Sequence, residues 1–334
     1  MRFRIPLLLA LAALFAAPAA FAGKTKIKLA TLAPKGSAYF RILTELADRW
    51  ESLSGGSVEL KIYPAGVAGA DDEVVRKMRL GTLQAALMTT AGLREIDSAA
   101  HAFQIPLAYH NYEELDYVMG QMRAKVEQIY ADKGFVVLEW SDGGWIRFLA
   151  KKPINMPSDA FPQKMFVFAG HPAQIELWKR AGFTVVPLPG TEITTALQTG
   201  LIEAVPTTAQ AALLMQWNKH ATYLTDQPIS AFIGALVVKR EVWESIDAGL
   251  REKLATAAHQ AGDRLRAEAR PKDDESIREM AARGLTLVKT TPEAKEAWRK
   301  TIDGAKDGIR GTFVPAELYD EAMALLESYR KSHP

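Results

Sequence analysis

Between Trp145 and Phe168 the chain reads "WIRFLAKKPINMPSDAFPQKMFVF": two apolar, strand-like runs either side of a Pro-rich turn, with one arginine, Arg147, inside the first. A guanidinium in such a run either faces solvent, as on an edge strand, or reaches into a wet cleft where its planar fork meets a carboxylate or phosphate. Taken alone the stretch leaves both open, the surface role being the simpler. Aromatic residues crowd it: Trp140, Trp145, Phe148, Phe166 and Phe168. Most suit a core, but one or two facing a cleft would make it apolar, as ligand pockets usually are. Gly143-Gly144 precedes the stretch and is read as a break where the chain crosses from a first lobe into a second.

Upstream the pattern is β-α-β-α-β. "KIKLATLAP" is a strand, Ser37 caps a helix carrying Phe40, Leu43, Ala47 and Trp50 on one face, and "SVELKIYP" alternates as a second strand. Asp71 or Asp72 opens the next helix, and "LQAALMTT" is the third strand. Asn111, with Glu114 three residues on, caps a long helix, and "FVVLEW" follows. Downstream the alternation repeats through "FTVVPLPG", "EITTALQTG" and "LIEAV". The run "SAFIGALVVK", apolar enough to be buried on both faces, is placed as a strand crossing back. Residues 247–270 form a long amphipathic helix that Pro271 ends or kinks, and further helices begin at Thr291-Pro292 and Pro315. The expected fold is α/β in two lobes with mostly parallel sheets joined by crossing strands, braced by the long C-terminal helix. The first lobe takes residues 23–144 and about 233–270, and the second takes 145–232 and about 271–334 with the C-terminal helices.

Residues 1–22 read as a secretory signal: Arg2 and Arg4, the 11-residue apolar run Ile5–Phe15, and Ala20-Phe21-Ala22 before a cleavage after Ala22. That run is too short to span a bilayer, which needs about 20 residues. The remaining 334 − 22 = 312 residues hold 39 basic and 39 acidic side chains, since Arg2 and Arg4 leave the total of 41. A balanced charge without long single-sign runs argues against nucleic acid as partner. Cysteine is absent, which excludes disulfides and thiolate metal sites.

No nucleophile elbow, phosphate-cradling loop or His-Glu-x-x-His occurs, and the six histidines show no ligand spacing, so neither catalysis nor a metal or other cofactor is expected. The acid pairs Asp71-Asp72 and Asp273-Asp274 read as helix-start residues favoured by the dipole. Thr89 and Thr90 end one strand, and Thr207 and Thr208 another. In open α/β sheets, ligands sit beyond such carboxyl ends, though Thr208 equally suits a helix cap.

The segments "LAPKGSAYFRILTELADRWESLSGGSVELKIYPAGVAGADDEVVRKMRLGTLQAALMTT", "AFQIPLAYHNYEEL", "KKPINMPSD" and "GFTVVPLPGTEITTALQTGLIEAV" resemble the extracytoplasmic solute receptors of TRAP (tripartite ATP-independent periplasmic) transporters. The resemblance implies a periplasmic receptor that closes on an organic acid and delivers it to membrane permease subunits. It implies ligand contacts near Thr31, Asp71, Thr89 and Thr90, at Arg147 as a second family arginine, and at Thr207 in a family asparagine's place. The family's main carboxylate-binding arginine falls in "PQKMFVF", where Lys164 keeps the lysine's place but Phe166 takes the arginine's. Two ligand expectations follow. Either Arg147 alone holds the carboxylate of a monocarboxylate, with Thr89, Thr90 and Thr207 sharing hydrogen bonds and Phe166 against its apolar body, Trp145 and Phe168 being further candidate contacts, or Arg147 is tied to a protein acid and the cleft takes a neutral, apolar or lipid-like molecule.

Overall fold

The structure is a computed structural model that describes residues 24–333, so the expected signal segment and its cleavage site lie outside the described residues. The first half begins with strand β1 (Thr25–Thr31), helix α1 (Ala38–Leu53), β2 (Val58–Tyr63), α2 (Asp71–Arg79), β3 (Ala85–Thr89) and the short α3 (Thr90–Arg94). Ser37 caps α1 by accepting from the Phe40 amide, and Ile42, Leu43, Leu46 and Trp50 form its buried stripe. A 3-10 turn (Ser98–Gln104) leads to α4 (Tyr112–Asp132) and then to β4, which runs unbroken over 16 residues from Phe135 to Ala150.

The second half follows with α5 (Pro157–Ala160), β5 (Met165–Phe168), α6 (Pro172–Arg180), β6 (Val185–Leu188), α7 (Ile193–Thr199), β7 (Ala204–Thr208), α8 (Ala209–Leu214) and β8 (Tyr223–Thr225). β9 (Ser230–Lys239) returns to the first half, where α9 (Arg240–Glu244) begins the passage into the 35-residue α10 (Ala248–Ala282). β10 (Thr286–Val288), α11 (Pro292–Gly304), α12 (Lys306–Gly308) and α13 (Ala316–Ser332) complete the chain.

The strands form one continuous sheet in the order β2-β1-β3-β9-β4-β7-β5-β6, with β8 beside β4 and β10 beside β8. β1 lies parallel to β2 and β3, and β5 parallel to β6 and β7, whereas the central pairs β3-β9, β9-β4 and β4-β7 are antiparallel. Each half is covered on both faces. In the first, Leu43, Trp50 and Leu254 pack on one side and Phe103, Leu115 and Val118 on the other. In the second, Leu149, Phe166, Val205 and Met280 share one side and Phe148, Phe183 and Trp298 the other.

Three expectations are corrected. Gly143-Gly144 does not break the strand: the β4-β9 register slips between Asp142 and Trp145, and Gly144 takes φ +101°, a bulge that glycine accepts without strain. Nor does Pro271 end α10, which continues to Ala282. A proline inside a helix costs about 3 kcal/mol. Packing of Leu254, Ala257 and Ala258 on the first half and of Met280 on the second offsets it. Finally, α13 belongs with the first half. Leu318, Ala322 and Leu326 share a core with Leu115, Val118 and Met122, and Arg330 donates to the buried Glu114 carboxylate at 2.7 Å and to the Ala108 carbonyl at 2.6 Å.

Candidate functional site

The face of the second half that carries Leu149, Val205 and Phe166 in its core continues, one step nearer the carboxyl ends of β5 and β7, as the row Arg147, Thr207 and Phe168. Arg147 is the register partner of Thr207, and side chains two residues apart on a strand share a face. From the first half, the loop after β1 reaches this row. A β-carbon built on Gly190 would fall 3.1 Å from Phe168 Cε1 and 3.9 Å from Leu32 Cδ1. One on Gly66 would fall 2.9 Å from Thr191 Cγ2 and 3.3 Å from Leu32 Cδ2, so the halves touch here backbone to side chain.

Arg147 is buried, and its fate is specific. Nη1 donates to Asp273 Oδ2 at 2.5 Å and to the Trp145 carbonyl at 3.2 Å, whereas Nε has no partner. Asp273 is equally buried, and its Oδ1 is also without a partner. This acid was expected at a helix start. It lies deep within α10, because the helix passes through Pro271 and turns residue 273 toward β4. The pair is the last of three rungs joining that helix to the crossing strand. Arg266 meets Glu139 at 2.7 Å and Arg270 meets Asp142 at 2.8 Å, all three helix residues lying on one face at spacings of four and three. Arg270 also holds Asp116 and stacks over the Tyr112 ring, 4.2 Å from its centroid. Tyr112 packs on Trp145 at 5.1 Å between ring centroids, and its buried hydroxyl is unpartnered.

The other expected residues divide. Phe166 sits in the second-half core, edge-on to Phe168 at 4.9 Å, so Phe168 is the more exposed ring of the two. Thr207 is buried and makes one long contact, 3.4 Å, to the Thr208 carbonyl, while Thr208 caps α8. Thr31 accepts from the Ala33 amide at 3.1 Å. Asp71, Thr89 and Thr90 come together on the opposite face of the first half and are engaged there. Thr89 Oγ1 donates to Asp71 at 2.7 Å and accepts from the Ala91 amide, and Thr90 Oγ1 donates to Gln104 at 2.6 Å. Burial pushes the Asp71 carboxyl up to about 6 against the lowering effect of its Thr89 hydrogen bonds.

A second contact between the halves joins α3 to the start of α6. His171 Nδ1 lies 3.4 Å from Glu95 Oε1, and Arg94 Nη1 reaches Gln174 at 3.5 Å. Burial first, and then the Arg94 charge, hold His171 below its ordinary pKa. The same two effects, in the same order, hold the buried His101 at about 3. Asp273, Leu32, Thr191 and this α3-α6 contact were not found by sequence reasoning. Among the described residues no cluster of metal-binding side chains occurs, and no helix is long and apolar enough to cross a membrane.

Two α/β halves sharing crossing strands, with the carboxyl-end loops of one meeting those of the other, define a two-lobed α/β fold. More particularly, the chain belongs to the DctP family, bacterial extracellular solute-binding protein family 7, which it matches over residues 29–307; it is a binding receptor and not an enzyme. The C4-dicarboxylate-binding periplasmic protein DctP of Rhodobacter capsulatus is 24% identical over 284 residues, 82% of this chain and 81% of that one. A TRAP periplasmic solute binding protein from Ralstonia eutropha, with bound (S)-2-acetolactate, superposes with a TM-score of 0.83 at 21% identity, covering 91% of this chain and 99% of that one. Another from Sulfurospirillum deleyianum, with bound succinate, gives 0.81 at 23% identity over the same shares, 91% and 99%.

Proposed function

We propose that this protein is the periplasmic receptor of a TRAP-type transporter. It captures a small monocarboxylate with an apolar body between its lobes and passes it to membrane permease subunits. Family membership and the acids bound by its relatives support the class of ligand. The observation that carries the finer reading is Arg147, in one row with Thr207 and Phe168 and with an unpartnered Nε. With Phe166 in place of the family's other arginine, a dicarboxylate would leave a second ion unpaired at a cost of several kcal/mol. The lobes are read as residues 23–144 with about 233–270 and α13, against 145–232 with most of the rest. Export by a signal cleaved after Ala22 completes the reading, and N-terminal sequencing of the secreted protein is expected to start at Gly23.

A thermal-shift screen of organic acids tests the ligand class, because a ligand at 100 times its Kd adds about 2.7 kcal/mol of stability. Arg147→Ala is expected to abolish the shift. One observation favours a second reading, a neutral or lipid-like ligand: Asp273 already neutralises Arg147. Native mass spectrometry showing co-purified lipid, together with no response to any acid, would select it.

A further inference from the structure

Resting on the site just proposed, we infer that Asp273 is a specificity-determining residue and that the ligand carries an amino group beside its carboxylate. The pocket is thus one for a zwitterion with an apolar side chain. Arg147 spends Nη1 on Asp273 and on the Trp145 carbonyl, which leaves its Nε edge as a donor. Asp273 spends Oδ2, which leaves Oδ1 as an acceptor, and the unpartnered Tyr112 hydroxyl belongs to the ring packed on Trp145, whose carbonyl Arg147 also holds. Buried polar atoms are rarely left without partners, and three in one wall are complementary to a ligand that brings an acceptor and a donor together.

Charge points the same way. The wall holds two guanidiniums, Arg147 and Arg270, against two buried carboxylates, Asp273 and Asp142, while Asp116 lies half exposed at the far side of Arg270. A bare monocarboxylate would add a third negative charge opposite two positive ones. An α-amino acid adds none: its carboxylate takes the free Nε edge of Arg147 and its ammonium the free Oδ1 of Asp273. Phe168, with Leu32 beside it, is left to meet the apolar side chain.

Matched probes decide the matter on the wild-type protein. Calorimetry with phenylalanine, 3-phenyllactate and 3-phenylpropionate, and with leucine against 4-methylpentanoate, varies the amino group while keeping the body. The amine-bearing member of each set is expected to bind about 10- to 100-fold tighter, the range of one charge-assisted hydrogen bond. In Asp273→Asn the ratio is expected to fall to about one, through loss for the amine and gain for the simple acid. Equal or tighter binding of the amine-free acids by the wild type overturns the inference and leaves the receptor reading intact. Silence toward every probe of both kinds, with unchanged folding, overturns both.

Discussion

At the scale of single residues, the Arg147-Asp273 pair makes stability and binding separable. Removing one partner of a buried ion pair leaves a charge without compensation and costs about 3–5 kcal/mol, whereas replacing both by apolar residues can be neutral. Urea denaturation is therefore expected to show Arg147→Ala strongly destabilised and the double variant Arg147→Met, Asp273→Leu near the wild type, though unable to bind. A second prediction concerns pH. The folded state holds the Asp71 proton up to about pH 6 against an ordinary 3.8, so this group loses stability as pH rises from 4 to 6. His101, held at about 3 against 6.5, acts in the opposite sense: the unfolded chain takes up its proton first, and stability is lost as pH falls through the same window. Each slope is at most about 1.4 kcal/mol per pH unit, so in the wild type the two offset. Denaturation midpoints at pH 4.5 and 5.5 are expected to diverge in single variants, Asp71→Asn becoming acid-labile and His101→Gln acid-stabilised. Of these residues, Arg147 was legible in the sequence because an arginine in an apolar run demands an explanation. Asp273 was not, because an acid next to another acid just after a proline looks like a helix start.

At the scale of elements, α10 and β4 are joined along a single stripe, and its tightest point is Gly262. A β-carbon there would fall 2.0 Å from Glu139 Cγ. Gly to Ala in a helix interior ordinarily gains about 1 kcal/mol. Here Gly262→Ala is expected instead to destabilise by about 1–3 kcal/mol, as overpacking does, with loss of the Glu139-Arg266 rung; thermal unfolding measures it. The periodicity of the sequence disclosed the helices, their caps and the alternating strands, since those signals are local. It could not disclose that β4 passes through a glycine pair or that α10 passes through a proline. In both cases tertiary packing on two sides overrides a local breaker, and that packing is written in residues more than a hundred positions away.

For the whole molecule, the halves meet through Gly66, Thr191 and Leu32 on one side and through Glu95 and His171 on the other. Gly66 takes φ +72°, a conformation asparagine tolerates, so Gly66→Asn keeps the backbone while driving a side chain against Thr191. Ligand affinity is expected to fall about tenfold or more with little change in melting temperature, and small-angle scattering to show a more extended molecule. Thr191→Ser, lacking the methyl group in the way, is expected to restore binding. Two lobes with crossing strands were readable from the order of elements alone. The seat of α13 was not, because a stripe of Leu318, Ala322 and Leu326 fits either half equally well.

That seat bears on the order of synthesis. The core that holds Leu115 and Val118, encoded in the first half of the chain, is closed by Leu326 and the Arg330 clasp within its last nine residues. The first lobe therefore lacks a wall until α13 has been made. Truncation at the C-terminus is expected to damage the lobe that was made first.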